Sequence, residues 1–258
     1  MVSNFIPQSS WEFNTLGIYD FTKPGPYRFI FNFLLENQNK LGGDILEAGT
    51  YRGKTALSLG IFLKQNGLPG VVHGFDTFSG FPKYSPNDMP EKFEELYEQK
   101  LISKEHYSRI ERLRTMKTDL FKQEFHPAST SSSGDFSNNS IDSLYAKIDF
   151  LRLDNVRLHV GTFESTMNQK NAQNLLFSLI FLDCDLYDGY METLKYGWDR
   201  LMPGGIVFLD EYYSLKFPGA RIAVNEFFAE KRGYELLEVS EKSFDDFERW
   251  IIRKLPVV

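Results

Sequence analysis

The chain has 258 residues, of which 42% are hydrophobic and 25% charged, values that are ordinary for a soluble globular protein with a sizeable core. Its formal net charge of −6 argues against nucleic acid or an anionic membrane as a partner, because both need concentrated Lys and Arg. The single cysteine, Cys184, excludes an intrachain disulfide and a cysteine zinc site. We expect a cytoplasmic protein, since the sequence shows neither a secretory signal nor a membrane-length apolar run.

Residues 1–40 are aromatic and polar, and we predict that they form a helical N-terminal extension with a helix from Tyr27 to Leu35. The predicted main domain, 41–258, then opens with a β-α-β unit. Its parts are the strand Asp44–Glu47, the helix Lys54–Gln65 and the strand Val71–Phe75. Such a unit predicts parallel strands joined by a right-handed crossover.

From about residue 83 to residue 140 the sequence has no strong strand pattern. Lys83 to Thr118 is charged and helical, and Pro127 to Ser140 is a polar tract whose composition predicts a mobile loop. We interpret 83–140 as a helical insertion in the sheet domain. It forms either a lid over a binding site or a surface insertion such as a dimer contact, and the sequence leaves both open.

The α/β alternation resumes after the insertion. The predicted strands are Val156–Val160, Leu175–Leu182, Ile206–Leu209, Glu235–Val239 and Trp250–Lys254. The predicted helices are Met191–Leu201, closed by Pro203-Gly204-Gly205, and Gly219–Lys231. We expect the last two strands to pair antiparallel. The fold class is therefore α/β, a mostly parallel sheet with a C-terminal antiparallel hairpin and a helical insertion.

Polar residues or glycines follow the predicted parallel strands. They are Glu47, Asp76, Gly161, Asp183 and Asp210. Because ligands of open parallel sheets bind outside the carboxyl ends of the strands, these residues are expected to converge on one crevice. His73 and His159 lie inside predicted strands instead, and we interpret them as hydrogen-bonded core residues.

The loop from Glu47 to Gly53 joins the first strand to its helix. It lacks the third glycine of a dinucleotide-binding loop, and Glu47 would repel a pyrophosphate but suit an ammonium or sulfonium group. Asp76, at the end of the second strand, is placed to accept hydrogen bonds from both ribose hydroxyls of a nucleoside. A plain βα turn and a capping aspartate remain the alternative interpretations.

Four carboxylates follow two neighbouring apolar strands. Asp183-Cys184-Asp185 ends one strand and Asp210-Glu211 ends the next. Residues two apart on a strand point to the same side, which predicts that Asp183 and Asp185 share a site while Cys184 faces away. A metal site whose ligands are all oxygen atoms favours Mg²⁺ or Ca²⁺ over zinc. The alternative is an unrelated set of loop acids. Nearby tyrosines either stack on a substrate ring or pack structurally, and these are Tyr187, Tyr190, Tyr212 and Tyr213.

Six sequence blocks resemble the macrocin O-methyltransferase family of TylF/MycF/NovP type. They are LEAGTYRGKTA, GFDTFSGFP, VRLHVGTFESTM, LIFLDCDLYDGYMETL, RLMPGGIVFLDE and GARIAVNEFF, and they run from about Asp44 to Phe228. The combination of DCDLY with the proline-glycine-glycine strand and its acids is the most specific part. The resemblance is weakest between Lys83 and Ser140.

The resemblance implies a class I, Rossmann-like methyltransferase fold and a set of site residues. Cofactor contacts would come from Glu47, Ala48, Gly49, Thr50, Tyr51, Arg52, Gly53, Thr55, Asp76, Thr77, Phe78, Gly161, Thr162, Phe163 and Asp183. Mg²⁺ ligands would be Asp183, Asp210 and Glu211, with Asp185 as the general base. The family usually has two aspartates where Asp210-Glu211 stands. This sequence therefore departs from the family pattern at the metal site, where the longer glutamate side chain affects the geometry.

The predicted function is Mg²⁺-dependent, S-adenosylmethionine-dependent O-methylation of a small molecule, such as a sugar or another natural-product vicinal diol. In this hypothesis Asp185 takes the proton of the acceptor hydroxyl. Two alternatives stay open, a nicotinamide-dependent oxidoreductase and a non-catalytic S-adenosylmethionine-binding protein. We further expect a homo-oligomer, a dimer or larger, with neither nucleic acid nor a membrane as a partner.

Overall fold

The structure is a computed structural model that describes residues 5–240 and 247–256. Its centre is one seven-stranded sheet with the order β3-β2-β1-β4-β5-β7-β6. The strands are β1 Asp44–Ala48, β2 Val72–Asp76, β3 Val156–Val160, β4 Phe177–Leu182, β5 Leu201–Leu209, β6 Tyr234–Glu238 and β7 Trp250–Lys254. The first five strands are parallel, and β7 lies antiparallel between β5 and β6. The predicted fold class is thereby confirmed.

Helices cover both faces of the sheet. They are α1 Ser10–Leu16, α2 Arg28–Glu36, α3 Lys54–Gln65, α4 Lys92–Glu98, α5 Lys104–Thr115, α6 Pro127–Thr130, α7 Ile141–Leu151, α8 Phe163–Met167, α9 Tyr187–Gly197 and α10 Pro218–Phe228. A 3₁₀ turn spans Pro86–Asp88, and a π-helical turn spans Met116–Leu120. Within residues 5–240 and 247–256, no helix has both the length and the apolar character needed to cross a membrane.

Alternating side chains of the central strands build an apolar core on each face. On β4, Leu179 and Phe181 join the core under α2, α3 and α7, whereas Ile180 and Leu182 join the core under α9 and α10. The N-terminal segment is part of the first core, because Ile30 and its neighbours on α2 are buried there. The central strands β1, β4 and β5 therefore have apolar bodies, and the polar residues that follow β4 and β5 lie at one edge of the sheet with Asp76 at the end of β2.

Several elements differ from the sequence prediction, and the region around α9 and β5 differs most. Helix α9 begins at Tyr187, four residues before the predicted start at Met191, and it ends at Gly197. Pro203-Gly204-Gly205 does not close that helix but lies inside β5, where the pairing with β4 shifts register. Proline is tolerated in a strand at such a bulge because no ladder hydrogen bond is lost there. Helix α7 was not predicted at all.

The insertion has its own small apolar core. Its members are Phe93, Leu96, Ile102, Ile110 and Phe125. Helices α4 and α5 are confirmed as helical, and the polar tract after them begins with the short helix α6. The mobility of that tract stays a prediction.

The two strand histidines are hydrogen-bonded core residues, as predicted. His73 Nδ1 lies 3.0 Å from His159 Nε2, and His73 Nε2 lies 3.1 Å from Asp44 Oδ2. The His159 ring also stacks on Phe75 with the ring centres 4.1 Å apart. Burial lowers the pKa of His159 to about 4. These contacts account for both residues as structural.

Candidate active site

A cavity of about 380 Å³ opens at the carboxyl edge of the parallel strands. On the β1 and β2 side it is lined by Gly49, Tyr51, Asp76 and Thr77, and on the β3 and β4 side by Thr162, Phe163, Asp183, Cys184 and Asp185. The polar residues that follow four different strands therefore converge, as the topology predicts.

The glycine loop after β1 passes directly against the end of β4. Gly49 has φ +91°, and a Cβ there would overlap the carbonyl oxygen of Asp183 and lie 2.6 Å from its carbonyl carbon. Tyr51 also has a positive φ, of 47°. Gly53, at the start of α3, has φ +76° and faces the Leu144 side chain. Only a residue without a Cβ lets this loop approach Asp183 so closely.

Asp76 fixes the same loop from the β2 side. Its Oδ2 accepts a 2.7 Å hydrogen bond from the Tyr51 amide, and its Oδ1 accepts a 2.6 Å bond from the Phe78 amide. Each carboxylate oxygen has a second lone pair, so Asp76 can still accept bonds from ligand hydroxyls. Burial raises the pKa of Asp76 although these amides act in the opposite direction. Asp76 is thus both a loop anchor and a wall of the cavity.

Glu47 lies beneath the cavity and is only 1% exposed. Its Oε2 is buried and has no hydrogen-bond partner within the described part of the chain. Burial raises the pKa of Glu47 well above its usual value, and the charges of Asp183 and Asp76 raise it further. An orphaned buried carboxylate oxygen at this position fits a cationic ligand group better than a phosphate.

The remaining cofactor candidates fall into two groups. Ala48, Thr50 and Thr55 are buried in the framework of the loop. Arg52 points outward and donates to the Asn138 carbonyl oxygen at 2.6 Å and to Asn138 Oδ1 at 2.7 Å. These residues support the loop without lining the cavity.

The β3 end provides the opposite wall. The Gly161 amide donates to the Asp76 carbonyl at 2.9 Å, which ties β3 to β2. Thr162 caps α8 by accepting from the Ser165 amide at 3.3 Å, and Phe163 follows it in the cavity wall. Phe78 packs against the apolar core instead.

Phe81 and Phe136 form an apolar wall of the cavity, whereas Phe78, one of the cofactor contacts that the resemblance implies, is not among its lining residues. Both rings line the cavity, and they pack on each other with centroids 5.1 Å apart. Phe136 also packs edge-on against Tyr51. Phe81 lies within the GFDTFSGFP block, so the sequence carried a signal for it. Phe136 stands inside a polar tract whose composition gave none.

Three carboxylates meet where β4 and β5 end side by side. Asp183, Asp210 and Glu211 each offer one oxygen, and these oxygens lie within 4.8 Å of one another. Burial and the charge of Asp210 raise the pKa of Asp183 to about 8. Burial and the neighbouring acids also raise the pKa of Glu211 well above its ordinary value. The three carboxylates repel one another when ionised, and a divalent cation such as Mg²⁺, which prefers oxygen ligands, would offset that repulsion.

Asp185 lies beside this triad but not as the strand pattern predicts. Strand β4 ends at Leu182, and Asp185 has φ 63°, in a turn where the Leu186 amide donates to the Cys184 carbonyl at 2.6 Å. The predicted alternation of Asp183 and Asp185 about an outward Cys184 is wrong, because period-two geometry stops with the strand and all three residues line the cavity. Burial, and then the charge of Asp183, raise the pKa of Asp185.

Two contacts of the acids were not predicted from the sequence, although Tyr190 was named as a nearby tyrosine. Arg249, next to β7, donates to Asp210 Oδ1 at 2.9 Å, and the Tyr190 hydroxyl donates to Glu211 Oε2 at 2.6 Å. The Glu211 amide donates back to the Tyr190 oxygen at 3.0 Å. Neither contact has a local sequence signal, since Arg249 and Asp210 are 39 positions apart.

The other nearby tyrosines have structural contacts. The Tyr187 hydroxyl donates to Glu226 at 2.6 Å, and the Tyr212 hydroxyl donates to Asn225 at 2.9 Å. Tyr213 stacks on His106. Of the two interpretations left open, packing describes these side chains.

Comparison with known proteins identifies relatives. Residues 122–239 match the family model of macrocin-O-methyltransferase (TylF). The chain is 27% identical over 186 residues to mycinamicin III 3''-O-methyltransferase from Micromonospora griseorubida, which covers 72% of this chain and 60% of that protein. The chain thus spans less than two thirds of the length of this relative.

Solved structures share the fold. The O-methyltransferase NovP superposes with a TM-score of 0.61 at 16% identity, over 95% of this chain and 80% of that one. The calicheamicin methyltransferase CalS11 gives 0.51 at 18% identity, over 96% and 95%. An O-methyltransferase from Bacillus cereus, solved with SAH, gives 0.51 at 15% identity, over 97% and 93%. Residues 122–239 are therefore similar to the macrocin-O-methyltransferase (TylF) family, and the chain has the Rossmann-like fold of class I O-methyltransferases.

Proposed function

We propose that this protein is an S-adenosylmethionine-dependent O-methyltransferase that acts, with Mg²⁺, on a hydroxyl of a small molecule. The observation that carries the proposal is the contact between two sites. Asp183 lines the cavity at the ends of β1 to β4 and is also one of the three clustered carboxylates. A cofactor in the cavity and a cation on the triad would therefore be neighbours.

The cavity suits an adenosyl sulfonium compound, which supplies the methyl group when bound. Asp76 has lone pairs free for ribose hydroxyls, Phe81 and Phe136 offer apolar surface for a base, and Glu47 lies beneath. The loop has the left-handed Gly49 and Gly53 but no third glycine for a pyrophosphate. These features favour a nucleoside with a positive charge over a dinucleotide.

The acid triad would hold Mg²⁺ through Asp183, Asp210 and Glu211. A bound divalent cation makes a nearby hydroxyl more acidic and orients it. Asp185 is the carboxylate next to the triad that does not belong to it, and it lines the same cavity, so it is the acid left to accept a proton there. We assign Asp185 as the general base on this ground.

The acceptor class follows from chemistry and from the relatives. A triad that leaves coordination positions open suits two adjacent oxygens of one substrate, as in a vicinal diol. The name of the mycinamicin relative places its methyl transfer on a 3''-oxygen of a natural product. We propose a sugar or related natural-product hydroxyl for this chain.

We also propose that the chain forms a homo-oligomer in the cytoplasm. Trp11 on α1 is 67% exposed and Phe150 on α7 is 57% exposed, and burial between copies would remove this apolar surface from water. Analytical ultracentrifugation tests the assembly, and a monomer at micromolar concentration would contradict it.

Calorimetric titration with S-adenosylhomocysteine tests the proposed function. Wild type should bind with micromolar affinity, and Asp76→Ala should lose most of it. The exposed Asp142, on the first turn of α7, gives the matched control Asp142→Ala, which should bind as wild type does. NAD is titrated in parallel. Tight binding of NAD without binding of S-adenosylhomocysteine would overturn the proposal, and methyl transfer to a vicinal diol would complete its support.

A further inference from the structure

Two loops carry the four acids of the site, and the insertion contacts both of them through buried polar side chains. The first loop is 183–186, between β4 and α9, and the second is 210–217, between β5 and α10. The insertion side chains are Asp88, which is 0% exposed, and His106, which is 3% exposed. Burying a polar side chain costs free energy of folding unless its hydrogen bonds are satisfied.

Asp88 caps the helix that follows the first loop. Its Oδ1 accepts a 2.7 Å hydrogen bond from the Tyr187 amide, the first amide of α9, although the two residues are 99 positions apart. The residue at the N-cap position of α9 is Leu186, whose apolar side chain cannot accept a bond. Asp88 Oδ2 accepts from the Ser85 amide at 2.8 Å, so both of its oxygens are used.

The surrounding structure leaves no freedom at this contact. A Cβ on Gly219, at the start of α10, would overlap Asp88 Oδ1 and lie 2.8 Å from the Tyr187 amide nitrogen. The carboxylate is therefore enclosed between the first turns of α9 and α10. Glycine at position 219 is what permits this arrangement.

His106 makes the equivalent contact with the second loop. Its Nε2–H donates to the Ser214 carbonyl at 2.8 Å, three residues after Glu211. Its ring stacks on Tyr213 with centroids 3.8 Å apart and planes 12° apart. The Ser103 hydroxyl caps α5 by accepting from the His106 amide at 3.1 Å, which fixes the histidine in turn.

We infer that Asp88 and His106 are positioning residues, through which the first part of the insertion holds the two acid-bearing loops in register with each other. Asp88 acts through the Tyr187 amide on the preceding loop 183–186, which carries both Asp183 and Asp185. His106 acts on Glu211 through the Ser214 carbonyl. The helices of the insertion are thus a fixed brace for the site, which distinguishes them from a lid. The effect of these residues on catalysis rests on the proposed function. The contacts themselves can be tested independently of that function.

Hydrogen exchange on the ligand-free protein tests the brace directly. In wild type the Tyr187 amide should exchange at least about tenfold more slowly than the Lys104 amide, the first amide of α5, because it donates to a buried carboxylate. In Asp88→Ala, which removes the acceptor of the Tyr187 amide, peptides covering 184–190 should exchange faster while those covering α3 do not change. Asp142→Ala is the matched control and should leave both unchanged.

Ligand binding tests the consequence for the site. Loss of a supporting contact typically weakens a metal site about 10- to 100-fold. Asp88→Ala and His106→Ala should therefore each weaken Mn²⁺ binding by about tenfold or more, and His106→Gln, which keeps a side-chain N–H donor, should restore most of the affinity. Wild-type protein that binds neither S-adenosylhomocysteine nor Mn²⁺ would defeat the proposed function. Fast exchange of the Tyr187 amide in wild type, or unchanged exchange and Mn²⁺ affinity in Asp88→Ala, would overturn the inference. If Asp88→Ala does not fold, the exchange rate of the Tyr187 amide in wild type decides.

Discussion

Gly49→Ala tests whether the glycine loop must touch the end of β4. The new Cβ would lie 2.6 Å from the carbonyl carbon of Asp183 and 3.1 Å from Cys184 Cα, and main-chain atoms cannot rotate away. The left-handed backbone costs an alanine about 1–2 kcal/mol. Overpacking against a rigid neighbour adds about 1–3 kcal/mol. We expect the free energy of unfolding to fall by about 2–5 kcal/mol, the sum of these two effects.

Gly67→Ala separates the two effects. Gly67 also has a left-handed φ, of +63°, but a Cβ there meets nothing within 4 Å. Gly67→Ala should therefore lower the free energy of unfolding only through the left-handed backbone, by about 1–2 kcal/mol. Guanidinium denaturation measures both variants, and titration with S-adenosylhomocysteine should show at least about tenfold weaker binding for Gly49→Ala alone, a loss of about 1.4 kcal/mol. Equal stability and equal affinity of the two variants would refute the close-approach argument.

Three further predictions concern the acids and the cavity wall. Because the folded pKa of Asp183, about 8, exceeds its usual value, the stability given by its protonated form is lost as pH rises toward and through 8. The melting temperature of metal-free protein should therefore fall from pH 6 to pH 8.5, and Mg²⁺ should raise it more at pH 8.5; a larger effect at pH 6 would contradict this. Tyr190→Phe removes the hydroxyl that bonds Glu211 and should cost about 1–3 kcal/mol in a denaturant titration. Asn138→Ala removes the side-chain oxygen that accepts from the Tyr51 hydroxyl and the Arg52 guanidinium but leaves the main-chain carbonyl on Arg52, so S-adenosylhomocysteine should dissociate several-fold faster in stopped-flow measurements while the melting temperature changes little.

Periodicity and strand ends predict the framework of this fold well. The bounds of the helix Lys54–Gln65 and the strands Val156–Val160 and Trp250–Lys254 agree with the structure, because each is a regular apolar pattern with clear ends. The convergence of acids also follows, since parallel strands end at one edge. The details at those ends do not follow, because they depend on contacts between distant segments.

Helix α9 illustrates that limit. Its first turn has no accepting side chain at the N-cap position, so local rules place its start too late. The acceptor is Asp88, which folding brings in from the insertion. Phe136 and Arg249 were missed for the same reason, since each reaches the site from a segment whose own composition says nothing about it.

The order of the strands has a consequence for synthesis on the ribosome. Strand β6 is made before β7 but pairs with β7 alone, and β7 separates it from β5. Until Trp250–Lys254 has emerged, β5 presents an open apolar edge and Tyr234–Glu238 has no strand to join. A nascent chain at that stage exposes an unpaired strand edge, which is the kind of surface that aggregates. Chaperone dependence should therefore last until Trp250–Lys254 has emerged from the ribosome and paired with β5.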